Sequence, residues 1–304
     1  MPEEVTVSAP GSTLITGEHA VIYGAPCVAA AIEQRAHVRL RFTTAKTLAI
    51  TSEIAPPATL PTEGLVAQGP YRFVIAAVLA YADQLEGGVD IVIQSEINHT
   101  LGLGSSAAVT VATLAALAGG VTDDLHTQAL RIIRDIQGRG SGADLAASLF
   151  GGALSYRVEG GGPADIRTLP APPAMSLFNV GYKTPTSEVL ALVAKARDAD
   201  PNRIDGIFDD MARVSADTIA LINDGKWDAI GPHMSSYQQL MVQLGVSDTA
   251  LDAAVARALG HDGVIGAKIS GSGLGDCVLA LGDVPEGFTP VQLARQGVVF
   301  HDNA

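Results

Sequence analysis

Gly102-Leu103-Gly104-Ser105-Ser106-Ala107-Ala108 is the stretch on which the reading of this chain turns. It runs directly into an apolar helical pattern over residues 107–117. Glycines let a backbone take positive φ and approach a ligand closely. The helix that follows points unpaired N–H groups back at whatever lies in front of it, which favours an anion. The hydroxyls of Ser105 and Ser106 suit phosphate oxygens or Mg²⁺, a hard cation that prefers oxygen donors. Gly102, Leu103, Gly104, Ser105, Ser106 and Ala107 are therefore candidate nucleotide-phosphate contacts. The plain alternative is a strand-to-helix turn with a serine N-cap. The stretch is neither G-x-x-x-x-G-K-[ST] nor G-x-G-x-x-G, so neither a P-loop nor a Rossmann turn is indicated.

Working outward, residues 36–42 alternate apolar and polar, as do 88–95, and both read as half-buried strands. Strand is also expected at 4–8 and 151–157, a turn at 9–12, and a surface loop at 54–61. Helical patterns cover 71–84, 123–136 and 143–150. The polar, Gly- and Pro-rich tract 158–173 reads as a domain boundary. Beyond it come strand 176–181, helices 188–198, 204–223, 227–244 and 248–259, then strands 266–269 and 276–281. Strands and helices come in runs without regular βαβ repetition, so the fold class is α+β. Two domains are expected, residues 1–160 and 174–304.

The 304 residues carry 19 Lys+Arg against 32 Asp+Glu, a formal charge of −13. That balance excludes a chain that binds nucleic acid through clustered cations. A polyanionic ligand must be held locally instead. The amino-terminal residues have no basic segment followed by an apolar run, so a signal peptide is not expected. The longest apolar helical stretch falls short of the ~20 residues a bilayer span needs. Cys27 and Cys277 form no zinc or disulfide pattern. A cytoplasmic protein without membrane partners is expected.

Two further segments resemble the first in kind. Ala9-Pro10-Gly11-Ser12 leads to Gly17-Glu18-His19-Ala20-Val21, where Glu18 and His19 interrupt an apolar stretch and need partners. Gly266-Ala267-Lys268-Ile269-Ser270-Gly271-Ser272-Gly273-Leu274-Gly275-Asp276 joins two strands through a loop of small residues. In this order, the three segments resemble the motifs of the GHMP kinase superfamily, and the match covers nearly the whole chain. The mevalonate kinase branch is the most similar, with phosphomevalonate kinase next.

The resemblance implies a ribosomal protein S5 domain 2-like N-terminal domain and a ferredoxin-like C-terminal domain. It implies ATP and Mg²⁺, with the phosphates under residues 102–106 and mevalonate or phosphomevalonate as acceptor. It also allows a homodimer. Gly140-Ser141-Gly142-Ala143-Asp144 is similar to the segment carrying the family's catalytic aspartate, here Asp144. A carboxylate at a helix start is the plain alternative. Glu18, His19, Ser141, Gly142, Gly271, Ser272 and Gly273 fall on the acceptor side.

Two positions depart from the pattern. The family lysine of the first motif is Ser12 here, and the family's magnesium-binding glutamate is Ile133. Asp135 lies about 200° round the helix from Ile133 and is a poor substitute. Lys183 is the candidate replacement cation, against the alternative of a solvated turn lysine. Ser106 and Glu18 are candidate metal ligands. A second phosphate on the acceptor would call for further cations, and the N-terminal half offers Arg35, Arg39, Arg41, Lys46, Arg72, Arg131, Arg134 and Arg139. A nucleotide-binding homologue without turnover is the reading from another class.

Overall fold

Two long strands, β1 (Glu4–Thr16) and β2 (Cys27–Thr43), pair antiparallel and form the spine of a computed structural model that describes residues 4–98, 102–158 and 164–302. The carboxyl half of β2 alternates as its sequence demands. The amino half, residues 27–32, is buried at every position. There Val28, Ala30 and Ile32 enter the main core, while Cys27, Ala29 and Ala31 meet Ala143, Ala146 and Ala147 on the other face. Runs of alanine permit that two-sided covering because helix and strand backbones can approach closely.

β3 (Thr47–Ser52), β4 (Ala58–Pro61), β5 (Gly88–Ser95), β6 (Ala153–Arg157), β7 (Asp165–Leu169) and the final strand β12 (Val299–His301) complete an eight-stranded sheet. Its main path is β12-β1-β2-β5-β3-β4, with β6 on β2 and β7 on β6; only β3 and β5 run parallel. Helices α1 (Arg72–Ala80), α2 (Ser105–Ala118), α3 (Leu125–Gln137) and α4 (Ala143–Phe150) belong to this half. The second half has β8 (Met175–Asn179), β9 (Val264–Ser270), β10 (Cys277–Gly282) and β11 (Thr289–Val291) in the antiparallel order β11-β8-β10-β9. Helices α5 (Thr186–Ala199), α6 (Pro201–Asn223), α7 (Gly231–Leu244) and α8 (Thr249–Leu259) accompany it. The α+β reading holds.

Several local expectations do not. No turn interrupts residues 9–12: β1 stays paired with β2 throughout, and a register shift between Pro10 and Gly11 absorbs the irregularity. The expected loop 54–61 ends in β4, which pairs with β3. Within the tract read as a boundary, residues 165–169 form β7, the hairpin partner of β6. Residues 299–301 return to the first sheet and pair with β1. Short edge strands of three to five residues carry too little periodicity to be seen without their partners.

Candidate active site

Ser12, on the buried carboxyl half of β1, is where the Gly102 loop and Asp144 meet. Its N–H donates to the Leu103 carbonyl at 3.1 Å, and its hydroxyl donates to Asp144 Oδ1 at 2.8 Å. Gly104 lies directly over it. A Cβ there would fall 2.1 Å from Ser12 Oγ, and φ is +67°, so only glycine fits. Gly104 is also the N-cap of α2, with no side chain capping the helix. The first intrahelical bond runs from the Ala108 N–H to the Gly104 carbonyl at 2.9 Å. The N–H groups of Ser105, Ser106 and Ala107 precede it and lie outside the helical ladder, the arrangement that suits an anion. Thr100 and Leu101, which lead into the loop, lie outside the described residues.

Asp144 sits in the first turn of α4, after the N-cap Gly142. Burial pushes its carboxyl above the ordinary value of 3.8. The Ser12 hydrogen bond and the charge of Lys183 oppose that shift, and the charge of Asp276 adds to it. The loop before it is fixed from below. Tyr156 donates its hydroxyl to the Ser141 carbonyl at 2.5 Å, His126 Nε2 lies 3.0 Å from the Gly142 carbonyl, and the Ala143 N–H donates to Ser141 Oγ at 3.3 Å. Ser141 and Gly142 thus shape the start of α4. Ile133 belongs to the main core, with its Cγ2 under Gly140, and it supplies no ligand.

Lys183 is not a freely solvated turn lysine. Thr184 donates both its N–H (3.1 Å) and its hydroxyl (2.6 Å) to the Leu274 carbonyl, docking the turn on the third glycine segment. The ammonium of Lys183 lies 3.5 Å from Asp276 Oδ1, with side-chain exposures of 27% and 2%. Asp276 Oδ2 accepts the Ser272 N–H at 2.7 Å and its hydroxyl at 2.9 Å. Of the residues expected to be catalytic, Ser12 and Asp144 touch, and Lys183 approaches from the other half of the molecule. Asp276 escaped the reading of functional residues. Its signal was a charged residue closing a loop of otherwise small ones.

Glu18, expected as a metal and acceptor contact, is paired inside the protein. Its Oε1 accepts from the Lys268 ammonium, and both side chains are sealed from solvent. Lys268 also donates to the Ile269 carbonyl and lies 5.3 Å from the Tyr237 ring centroid. Burial raises Glu18 and lowers Lys268, while their mutual attraction works against both shifts. Oε1 is committed to Lys268, and Oε2 is buried without a hydrogen-bond partner among the described residues.

His19 adopts φ +60° and ψ −58°, a strained conformation for a residue with a Cβ. Its Nε2 lies 2.9 Å from the Ser272 carbonyl, which only accepts, so Nε2 carries the proton. Nδ1 is buried without a hydrogen-bond partner among the described residues. Burial lowers this histidine to about 4. Gly271 and Gly273 flank Ser272 at φ +107° and +83°. The third segment thereby reaches the segment of residues 9–21 through Ser272, and Ser270 Oγ lies 2.8 Å from Thr13 Oγ1.

Residues 72–152 match the family description "GHMP kinases N terminal domain", and residues 218–287 match "GHMP kinases C terminal". Over 299 residues the chain is 32% identical to a mevalonate kinase of Archaeoglobus fulgidus, covering 96% of this chain and 98% of that one. The chain belongs to the GHMP kinase family. A mevalonate kinase of Pyrococcus horikoshii is 30% identical over 305 residues, with 92% of this chain and 89% of the relative covered. The crystal structure of the Methanococcus jannaschii mevalonate kinase superposes with a TM-score of 0.76 at 23% identity, covering 93% and 92% of the two chains. At that identity the likeness speaks for the fold alone. The N-terminal GHMP match spans α1 to α4 and so includes both the Gly102 loop and Asp144. The C-terminal match includes Lys268 and Asp276.

Proposed function

We propose that this GHMP kinase transfers the terminal phosphoryl group of ATP to the 5-hydroxyl of (R)-mevalonate, giving 5-phosphomevalonate and ADP. The observation that carries the reading is the Ser12–Asp144 contact beneath Gly104, which sets a carboxylate beside the amino end of α2. The acceptor follows from the 32% identity to the Archaeoglobus fulgidus mevalonate kinase over 96% of this chain.

In this reading the N–H groups of Ser105, Ser106 and Ala107, with Gly102, Leu103 and Gly104, cradle the phosphates. The acceptor oxygen attacks the terminal phosphorus as the bond to the bridging oxygen of ADP breaks. Asp144 takes the hydroxyl proton, and its burial-raised basicity suits that task. Ser12 holds Asp144 Oδ1 in place. Lys183 supplies positive charge where the transferring group becomes crowded with negative oxygens. His19 stands behind the acceptor side, its Nε2 holding the Ser272 carbonyl, and Ser141, Gly142 and residues 271–273 line that side.

Among the described residues no group of three or more His, Cys, Asp or Glu side chains converges on one point. The donors present still fit a Mg²⁺ that keeps most of its shell as water and phosphate oxygens, for which one or two protein oxygens suffice. Ser106, at the start of α2, is the residue that would hold it. When bound, it neutralises charge on the phosphate oxygens.

Phosphomevalonate is the second acceptor, favoured by Arg134 and Arg139 beside the loop that leads into Asp144. Arg134 donates to the Gly140 carbonyl, and Arg139 donates to the Tyr23 hydroxyl. The homodimer and the cytoplasmic location belong to the same proposal. Among the described residues no helix is long and apolar enough to cross a membrane. The deciding experiment is ADP release from MgATP with mevalonate, phosphomevalonate, homoserine and galactose as acceptors. Release with mevalonate alone supports the reading. ATP binding without release on any acceptor sinks it and favours a homologue without turnover.

A further inference from the structure

Asp276 stands at the junction of the third glycine segment and β10, and its two carboxylate oxygens have different partners. Oδ2 is satisfied by the N–H and hydroxyl of Ser272. Oδ1 is buried and accepts no hydrogen bond among the described residues. A buried carboxylate oxygen in that state is costly unless a positive charge stands close by. The charge that stands there is the Lys183 ammonium at 3.5 Å. Both atoms border Gly102: a Cβ on that residue would fall 2.4 Å from Asp276 Oδ1 and 3.4 Å from Lys183 Nζ.

The other end of Lys183 is equally constrained. Its turn is hydrogen-bonded to Leu274 through Thr184, and a Cβ on Gly275 would fall 3.0 Å from Lys183 Cα. A lysine stem is flexible, so its ammonium needs a second anchor to hold one place. Asp276 is that anchor, and it draws its own rigidity from Ser272. The anchored ammonium faces the turn that opens the phosphate loop, with Asp144 within electrostatic reach.

We propose that Asp276 is a positioning residue for phosphoryl transfer, its Oδ1 holding the Lys183 ammonium against the Gly102 turn where the terminal phosphate arrives. The arrangement supplies from the second half of the chain a cation that Ser12 does not provide. This inference rests on the kinase reading of the site.

The test is a double-mutant cycle on the full chain with Asp276→Asn, Lys183→Met and the pair, each assayed for ADP release with MgATP and mevalonate and each checked by thermal unfolding. Asp276→Asn keeps an acceptor for Ser272 and is expected to lower kcat by up to about a hundredfold, the scale of an ångström-sized misplacement. KM for mevalonate should stay within about twofold, because the loss falls on the transfer step rather than on binding.

In the Lys183→Met background the same change should cost nothing further, since Asp276 acts through Lys183. Losses that multiply, or an Asp276→Asn enzyme with native kcat, overturn the proposal. Asp276→Ser serves if the asparagine variant does not fold. Failure of both to fold assigns Asp276 a purely architectural role and also overturns it. Loss of ADP release in the native chain on every acceptor sinks the kinase reading instead. Native turnover in Lys183→Met removes the cation and this inference together, while leaving Asp144 in place.

Discussion

Two lysine–carboxylate pairs meet on the third glycine segment, Lys268 with Glu18 and Lys183 with Asp276, and they live in opposite surroundings. The first is sealed, with side-chain exposures of 0% and 1%. It is ringed by Tyr237, whose hydroxyl donates to the Glu18 carbonyl at 2.8 Å, and it ties the first glycine segment to β9. The second is partly open, its lysine side chain 27% exposed. A charge that water and substrate cannot reach can hold two elements together but cannot meet a phosphate. A charge at the rim can do both. The same two functional groups thus stand sealed in one place and open to solvent in the other, and solvent access separates them.

The sharpest way to break this comparison is at Asp144. Asp144→Asn is isosteric and keeps an acceptor for Ser12, so the fold and ATP binding should persist while kcat falls by about a thousandfold or more, as expected for loss of a general base. Turnover measured by ADP release and affinity measured by ATP titration separate the two effects. Retained turnover would remove Asp144 from the chemistry.

The sealed pair should answer differently. Lys268→Met leaves the Glu18 carboxylate buried and alone, so chemical denaturation should show a loss of about 3–5 kcal/mol. Adding Glu18→Gln should recover part of that loss, because no charge then remains without a partner. A single variant as stable as the native chain would contradict the burial described for the pair.

His19 offers a smaller effect with a defined sign. It is held near 4 when folded against 6.5 when free, so between those values the unfolded chain binds the extra proton. Stability contributed by the neutral ring is complete above pH 6.5 and is lost as the pH falls towards 4. Across that window the loss amounts to at most about 3 kcal/mol. His37 and His126 are lowered by burial in the same sense, so the slope in the native chain is shared. His19→Gln should flatten it in denaturation curves taken at several pH values, and an unchanged slope would count against the buried neutral ring.

The mildest expectation concerns the acid limb of catalysis. Because burial raises Asp144, kcat/KM should fall on acidification with a midpoint above 3.8. A midpoint at or below that value would mean that the carboxylate is solvated during turnover.

Much of this is legible in the sequence alone. Strand 88–95 and helix 143–150 carry strong local periods and were read with their observed ends. The loop at residues 102–107 announced itself through glycines that only a close backbone approach requires. The edge strands β4, β7 and β12 were not legible, since each is defined by a partner far along the chain. Nor was the fate of Glu18, because an acidic residue in an apolar stretch reads the same whether it faces a metal or a buried lysine.

By itself the sequence determined the α+β class, the order of the three glycine segments and the residue types available to each. Those features depend on local hydrogen-bond geometry and on which side chains water will tolerate. Tertiary structure alone decided which carboxylate meets which partner. Ser12 finds Asp144 across 132 residues, and Lys268 finds Glu18 across 250. Electrostatic pairing acts through space over a few ångströms, and only chain folding brings such distant residues within that range.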